Sequence, residues 1–220
     1  MSSRAPRLDR RRAAAVLAVG GAFALAGCQT ALQLATRQPP RLFQLTPKST
    51  FPDDLPTVAS RLQVEVPSAT AGLNTARIAL RPTATTLDYY AGANWIDVVP
   101  VMTQNLLIES FDNADRIDVL GREIVGVRAD HALLTHIREF QAEYLEDGPP
   151  TIRVRFQARL VQLPRRTSLA STSIQDVVPA QNSSMEAIVQ AFDEAFGRVT
   201  RRLVEWTLRE LETVTAGTQT

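Results

Sequence analysis

The 220-residue chain has one cysteine, Cys28, and none after it. No intramolecular disulfide can form, and no thiolate zinc cage can be built. Histidine is nearly as scarce, with only His131 and His136. On a strand, a spacing of five puts them on opposite faces, so they do not converge on a metal. No P-loop, no Gly-rich fingerprint after a strand and no Gly-x-Ser-x-Gly elbow is present. The chain therefore lacks the motifs of an ATPase, a dinucleotide enzyme or a serine hydrolase. Ser168, Ser171 and Ser173 stand in a Ser/Thr-rich strand, and Glu146-Asp147 beside Gly148-Pro149-Pro150 reads as a solvated turn. Paired carboxylates for glycoside hydrolysis meet only in space, so spacing does not test them. No catalytic residue, cofactor or metal is expected. Large charge excess is also missing, with 24 basic against 23 acidic residues.

Hydrophobic runs are short, and the one that matters stands first. Residues 1–12 carry Arg4, Arg7, Arg10, Arg11 and Arg12 against a single acid, Asp9. Residues 13–26 are free of charge, a stretch of 14 residues, where a spanning helix needs roughly 20. Leu25-Ala26-Gly27-Cys28 follows. A basic start, a short apolar core and a small-residue exit make a secretory signal over residues 1–27. The exit resembles the lipobox of bacterial lipoproteins. That resemblance implies a diacylglyceryl group on the Cys28 thiol, cleavage before Cys28, and acylation of the new amine, with palmitate among the fatty acids. Several acyl chains hold a protein at a membrane where one is marginal. The arginine run leaves both the general secretory and the twin-arginine route open. Gln29 is not the aspartate associated with inner-membrane retention, so the outer membrane, with the domain facing the periplasm, is expected over the inner membrane.

Removal of residues 1–27 leaves 19 basic and 22 acidic residues, a net charge of −3 on 193 residues. That balance gives no global attraction to nucleic acid. The length suits one core.

Residues 28–57 read as the lipidated cysteine and a Pro-rich tether, with Pro39, Pro40, Pro47, Pro52 and Pro56 opposing helix. Leu42–Leu45 is a candidate edge strand within it. Residues 58–214 read as the folded domain and 215–220 as a disordered tail. Leu62, Val64 and Val66 share one face of an alternating strand. Strands are also expected at 77–82, 86–90 and 117–120. A helix capped by Asn94 or Asp97 is expected over 97–111. In residues 131–144, Leu134, Phe140 and Tyr144 fall on one face and Leu133 and Ile137 on the other, which suits a strand covered on both sides. Ile152 to Leu160 alternate with Arg153, Arg155, Gln157 and Arg159, and Thr167 to Ile174 is the natural partner. Ser183 or Ser184 caps a last helix, and Ser183 with Glu186 would form a capping box. The apolar stripe from Met185 to Leu211 ends that helix near residue 212. The expected fold is α/β: a mixed, largely antiparallel sheet packed with two amphipathic helices in a single compact domain, in two or three layers.

With these elements in order, the chain resembles the ABC-type transport auxiliary lipoproteins, including the PqiC-like proteins that accompany MCE-domain lipid transporters. The resemblance rests on the lipobox, on Phe43-Gln44-Leu45, on Leu62 to Val66 leading to Leu73 and Ile78, and on Leu87-Asp88-Tyr89-Tyr90-Ala91-Gly92-Ala93-Asn94-Trp95 before a helix. Val119, Leu134, Phe140, the 152–160 strand and the closing helix follow in family order. Asp97 and Val98 depart slightly from the small or apolar residues that relatives carry before a proline, here Pro100. The likeness covers roughly residues 42–210. It implies a non-enzymatic accessory in lipid or hydrophobic-solute transport. Its partners would be an MCE-domain protein and, through it, an inner-membrane ABC permease and ATPase. Self-association is left open. An envelope-assembly lipoprotein with a non-transport partner is the alternative, and a lipoprotein hydrolase a third. Six residues are candidates for partner or lipid contact: Tyr89, Tyr90, Trp95, Arg153, Arg155 and Arg159. For the aromatics the competing role is packing between sheet and helix, and for the arginines it is plain solvation.

Overall fold

The computed structural model describes residues 39–121, 128–144 and 148–217. The signal, Cys28, the first part of the tether, Gly126, Glu146-Asp147 and residues 218–220 lie outside the described residues. In chain order the elements are β1 (Arg41–Phe43), β2 (Arg61–Val64), β3 (Ser68–Ala69), β4 (Arg77–Thr83) and β5 (Thr86–Trp95). Then come α1 (Val99–Ala114), β6 (Asp118–Leu120), β7 (His131–Glu143), β8 (Thr151–Gln162), β9 (Thr167–Pro179) and α2 (Met185–Gly217).

All nine strands form one mixed sheet. The cleanest alternation in the chain makes its spine: β7, β8 and β9 are consecutive antiparallel strands. The other edge of β7 is shared by three short parallel partners, β2 near its start, β3 at its middle and β4 at its end. Beyond them, β4 pairs antiparallel with β5, β5 parallel with β1, and β2 parallel with β6. The long pairings are antiparallel and the short ones parallel, as the mixed, largely antiparallel expectation has it.

Strand β7 corrects the two-sided reading of residues 131–144. A bulge between Ile137 and Glu139 shifts its register against β8. The extra residue reverses which face each later side chain takes. Leu133 and Ile137 therefore point inward before the bulge, and Phe140 and Ala142 point inward after it, opposite Leu160, Phe156, Val154 and Ile152. All eight are fully buried in one core.

Both helices contribute to that same core. Met102, Leu106, Leu107 and Phe111 come from α1, and Ile188, Phe192, Phe196, Val199, Leu203 and Leu211 from α2. The result is two layers. The α2 cap is Ser184, whose Oγ accepts from the Ala187 N–H at 3.3 Å. The capping box through Ser183 does not form, because the cap falls one residue later and puts Ala187, not Glu186, at the third helical position; Glu186 pairs with Arg41. The helix also runs to Gly217, past the stop expected near residue 212 and into the stretch read as tail. Neither expected cap starts α1: Asn94 stays in β5, and Val98 occupies the cap position without a side-chain bond. Pro100, whose missing N–H costs nothing in a first turn, opens the helix instead.

Residues 41–57 correct the extent of the tether. Leu45 and Leu55 belong to the core, and β1 pairs with β5. Thr46 donates from its N–H to Asp193 Oδ1 at 2.6 Å, and Arg209 pairs with Asp54 at 3.2 Å. The prolines keep this stretch extended and fastened along α2 rather than free. Strand β2 ends at Val64, leaving Val66 54% exposed. Strand β5 continues to Trp95, with Gly92 at φ +67 in the irregular part of its pairing with β4. That conformation is steeply unfavourable for a side chain.

Candidate docking face

Alternation on β8 buries its even-numbered residues against the helices and turns Arg153, Arg155, Gln157 and Arg159 to the opposite face. The register sets Arg153 beside Gln141, Arg155 beside Glu139, and Arg159 beside Leu134. Arg153 Nε lies 3.1 Å from Glu143 Oε2. The same carboxylate receives Arg81 at 3.4 Å and the Gln141 amide at 3.1 Å. Its side chain is only 4% exposed, and burying a carboxylate is costly without such hydrogen-bonding partners. Arg153 is thus committed to internal work. Arg155 sits 3.7 Å from Glu139 in a looser pair. Arg159 is exposed and makes no hydrogen bond or ion pair among the described residues.

The three aromatics separate. Trp95 is 1% exposed, edge-on to Phe192 at 5.2 Å and to Phe140 at 5.9 Å. It has no surface to offer a partner, and its packing role is the one the geometry supports. Tyr90 shares a hydroxyl–hydroxyl bond of 2.9 Å with Tyr144. Burial first, then the Tyr144 hydroxyl, holds the Tyr90 phenol far above its ordinary range, so it stays neutral. Tyr89 donates to the Gly72 carbonyl at 3.0 Å, and the Arg77 guanidinium lies over its ring at 3.6 Å. Both tyrosines are half-buried at the seam where β5 meets its neighbours.

The face thus contains Arg153, Arg155 and Arg159 together, and the Tyr90–Tyr144 pair adjoins it through Glu143 of β7. Sequence reasoning missed Arg81, Arg138, Glu139 and Glu143. No local signal marks Glu143, since β7 already carries Arg138, Glu139 and Gln141. Arg138 is legible only once the bulge is known. A second exposed feature lies at the β1 edge, where Leu42 is 64% exposed near Ile96, whose N–H donates to the Phe43 carbonyl.

The histidines do not converge. His131 is buried, and His136 Nδ1 lies 2.8 Å from Ser68 Oγ. Burial depresses the His131 imidazole, outweighing the opposite pull of Asp130. The folded state holds it neutral, while the unfolded chain takes up a proton nearer pH about 6.5. Its contribution to stability is complete above that pH and is lost as pH falls through the lower folded value. Urea midpoints should therefore drop between about pH 7.5 and about pH 5.5, and less so in His131→Gln. Identical pH slopes for the two proteins would refute the assignment.

Among the described residues no helix is long and apolar enough to cross a membrane, and no group of His, Cys, Asp or Glu is arranged to hold a metal. A family model described as the ABC-type transport auxiliary lipoprotein component matches residues 43–204. An uncharacterized protein of Bradyrhizobium diazoefficiens is 30% identical over 152 residues, which is 69% of this chain and 40% of that protein. The chain thus spans well under half of that relative. A crystal structure of a Xanthomonas campestris protein superposes with a TM-score of 0.74 at 27% identity, covering 82% of this chain and 99% of the other. A second crystal structure, of an uncharacterized protein, shares the fold at a TM-score of 0.59 and 12% identity, covering 76% and 97%.

Proposed function

Because the chain belongs to the family of ABC-type transport auxiliary lipoprotein components, we propose that it is a lipid-anchored periplasmic accessory subunit of an ABC/MCE-type system that moves lipid or another hydrophobic solute. The family match over residues 43–204 carries this reading. The protein acts by docking, not by catalysis. Acylated Cys28 holds it at the outer membrane, and the domain faces the periplasm. Its partner is an MCE-domain protein, which connects it to the inner-membrane permease and ATPase. The charged sheet face supports a docking role. It is built from paired charges on rigid strands, which favour orientation and partner choice more than raw affinity.

The test is purification of the full-length lipoprotein from its native membranes in mild detergent, with mass spectrometry of every protein and lipid that accompanies it. Recovery of an MCE protein with its permease is expected. Recovery of outer-membrane assembly proteins without those components would replace this reading with the envelope-assembly one.

A further inference from the structure

Ion pairs on the outer sheet face bypass Arg159: Arg153 and Arg155 pair with Glu143 and Glu139 on one side of it, and Arg166 of the β8–β9 turn pairs with Glu65 at 3.0 Å on the other. A pocket of about 290 Å³ opens at Arg159, lined by Ser68 of β3, His136 and Arg138 of β7, Gln157 and Arg159 of β8, and Ser171 of β9, with no Asp or Glu in its wall. The sheet register brings these groups together. His136 stands opposite Gln157, and Arg159 stands between Leu134 and Ser171. Arg138, at the β7 bulge, donates from Nε at 3.1 Å and Nη2 at 2.6 Å to the same Gln157 oxygen. Its Nη1 has no such bond, and Arg159 has no partner among the described residues. Two guanidinium groups border one cavity without a carboxylate, although acids neutralise the arginines further along the strands. Like charges held in one partly walled space repel each other unless an anion joins them.

We propose that this pocket binds a phosphate-type oxyanion, held between the Arg138 and Arg159 guanidinium groups with the Ser171 hydroxyl as a further donor. A multiply charged group with several acceptor oxygens suits two planar forks better than a single carboxylate does. The volume lies at the small end of ligand pockets. It accommodates a phosphate or a phosphodiester headgroup and leaves acyl chains outside. A free phosphate ester and a lipid headgroup present the same chemistry. The His136 imidazole borders the site, and its protonation is held down by burial and then by the Arg138 charge. Ser68, Thr135, Gln157, Arg159 and Ser171 are the other polar residues of the wall, and none is acidic. An anion between the arginines offsets the Arg138 effect and makes the imidazole easier to protonate.

The experiment titrates full-length protein in non-ionic detergent with sodium phosphate at constant ionic strength, and separately with dihexanoyl phosphatidylglycerol. Calorimetry reads binding, and the His136 proton resonances read the site. Saturable phosphate binding, an upward shift in the His136 titration and a loss of roughly tenfold in affinity in Arg159→Gln are expected. Arg209→Gln removes the same charge from α2, away from the pocket, and should bind like the parent. Binding of both probes identifies a site open to lipid headgroups, and binding of phosphate alone identifies a site for free phosphate esters; both support the pocket. Absence of saturable binding by either probe, or an equal loss in Arg209→Gln, overturns it.

Discussion

Replacing Phe140 by alanine is expected to lower stability by about 3–5 kcal/mol, a large share of the roughly 5–15 kcal/mol that holds a domain folded. Phe140 is the meeting point of the aromatic core. Its ring lies 5.3 Å from Phe192, 5.9 Å from Trp95 and 6.4 Å from Phe196. It comes from β7, while Trp95 comes from β5 and the two phenylalanines from α2. One side chain therefore joins the sheet's centre, its outer portion and the long helix. Alanine removes the buried surface and leaves a cavity that strands on either side cannot close. The edge-to-face contacts with Trp95 and Phe196 contribute beyond area, each by roughly 0.5–1.5 kcal/mol. Urea unfolding of the full chain should show a lower midpoint with an unchanged slope. A loss below about 1 kcal/mol would mean the site relaxes around the gap, contrary to the rigid packing described.

Replacing Cys28 by serine is expected to abolish lipid attachment altogether. A serine hydroxyl does not replace the thiol that carries the diacylglyceryl group in lipoproteins of the kind this N-terminus resembles. In cells given labelled palmitate, the parent chain should incorporate label and the variant none. The intact mass of the parent should correspond to loss of residues 1–27 with gain of acyl groups. The variant should lack both changes, since cleavage follows lipidation in such signals. Each buried methylene of an acyl chain contributes about 0.8 kcal/mol, so the attached chains together dominate membrane affinity. Label on the serine variant would place the acyl groups elsewhere in the chain and dismiss Cys28 as the anchor.

Patterns with a strict period were readable without coordinates. The Ile152 to Leu160 alternation became β8, and the stripe from Met185 to Leu211 became the buried side of α2, because one period serves each element throughout. Phe140 takes the face opposite to the one strict alternation implies, because one inserted residue at the bulge reverses the period, and nothing local to Arg138 announces it. The packing of residues 41–57 is hidden in the sequence for a different reason. Proline reports that a segment is not helical, but not whether it is packed. Burial of Leu45 and Leu55 settles that, with Thr46 and Asp54 bound to Asp193 and Arg209 of α2, more than a hundred residues away in sequence. The capping box depended on which of two adjacent serines caps the helix, and Ser184 does so, which moves Glu186 off the third helical position. Of the contact surface, the arginine row was legible as a row. Which member stays unpaired depended on Glu139 and Glu143 on the neighbouring strand, and hence on register.

The three parallel partners of β7 bear on the order in which the chain can assemble. Strands β2, β3 and β4 are made first, yet the edge they share belongs to a strand that begins at His131. Until that strand exists the sheet is limited to two separate pieces, β1–β5–β4 and β2–β6. By contrast, β7, β8 and β9 follow one another directly and need only short closures to pair. Local pairings form faster than those closing long loops. Assembly therefore begins in the second half of the molecule and recruits the first half onto it. A chain released from its N-terminus onward stays unfinished until nearly all of it has emerged.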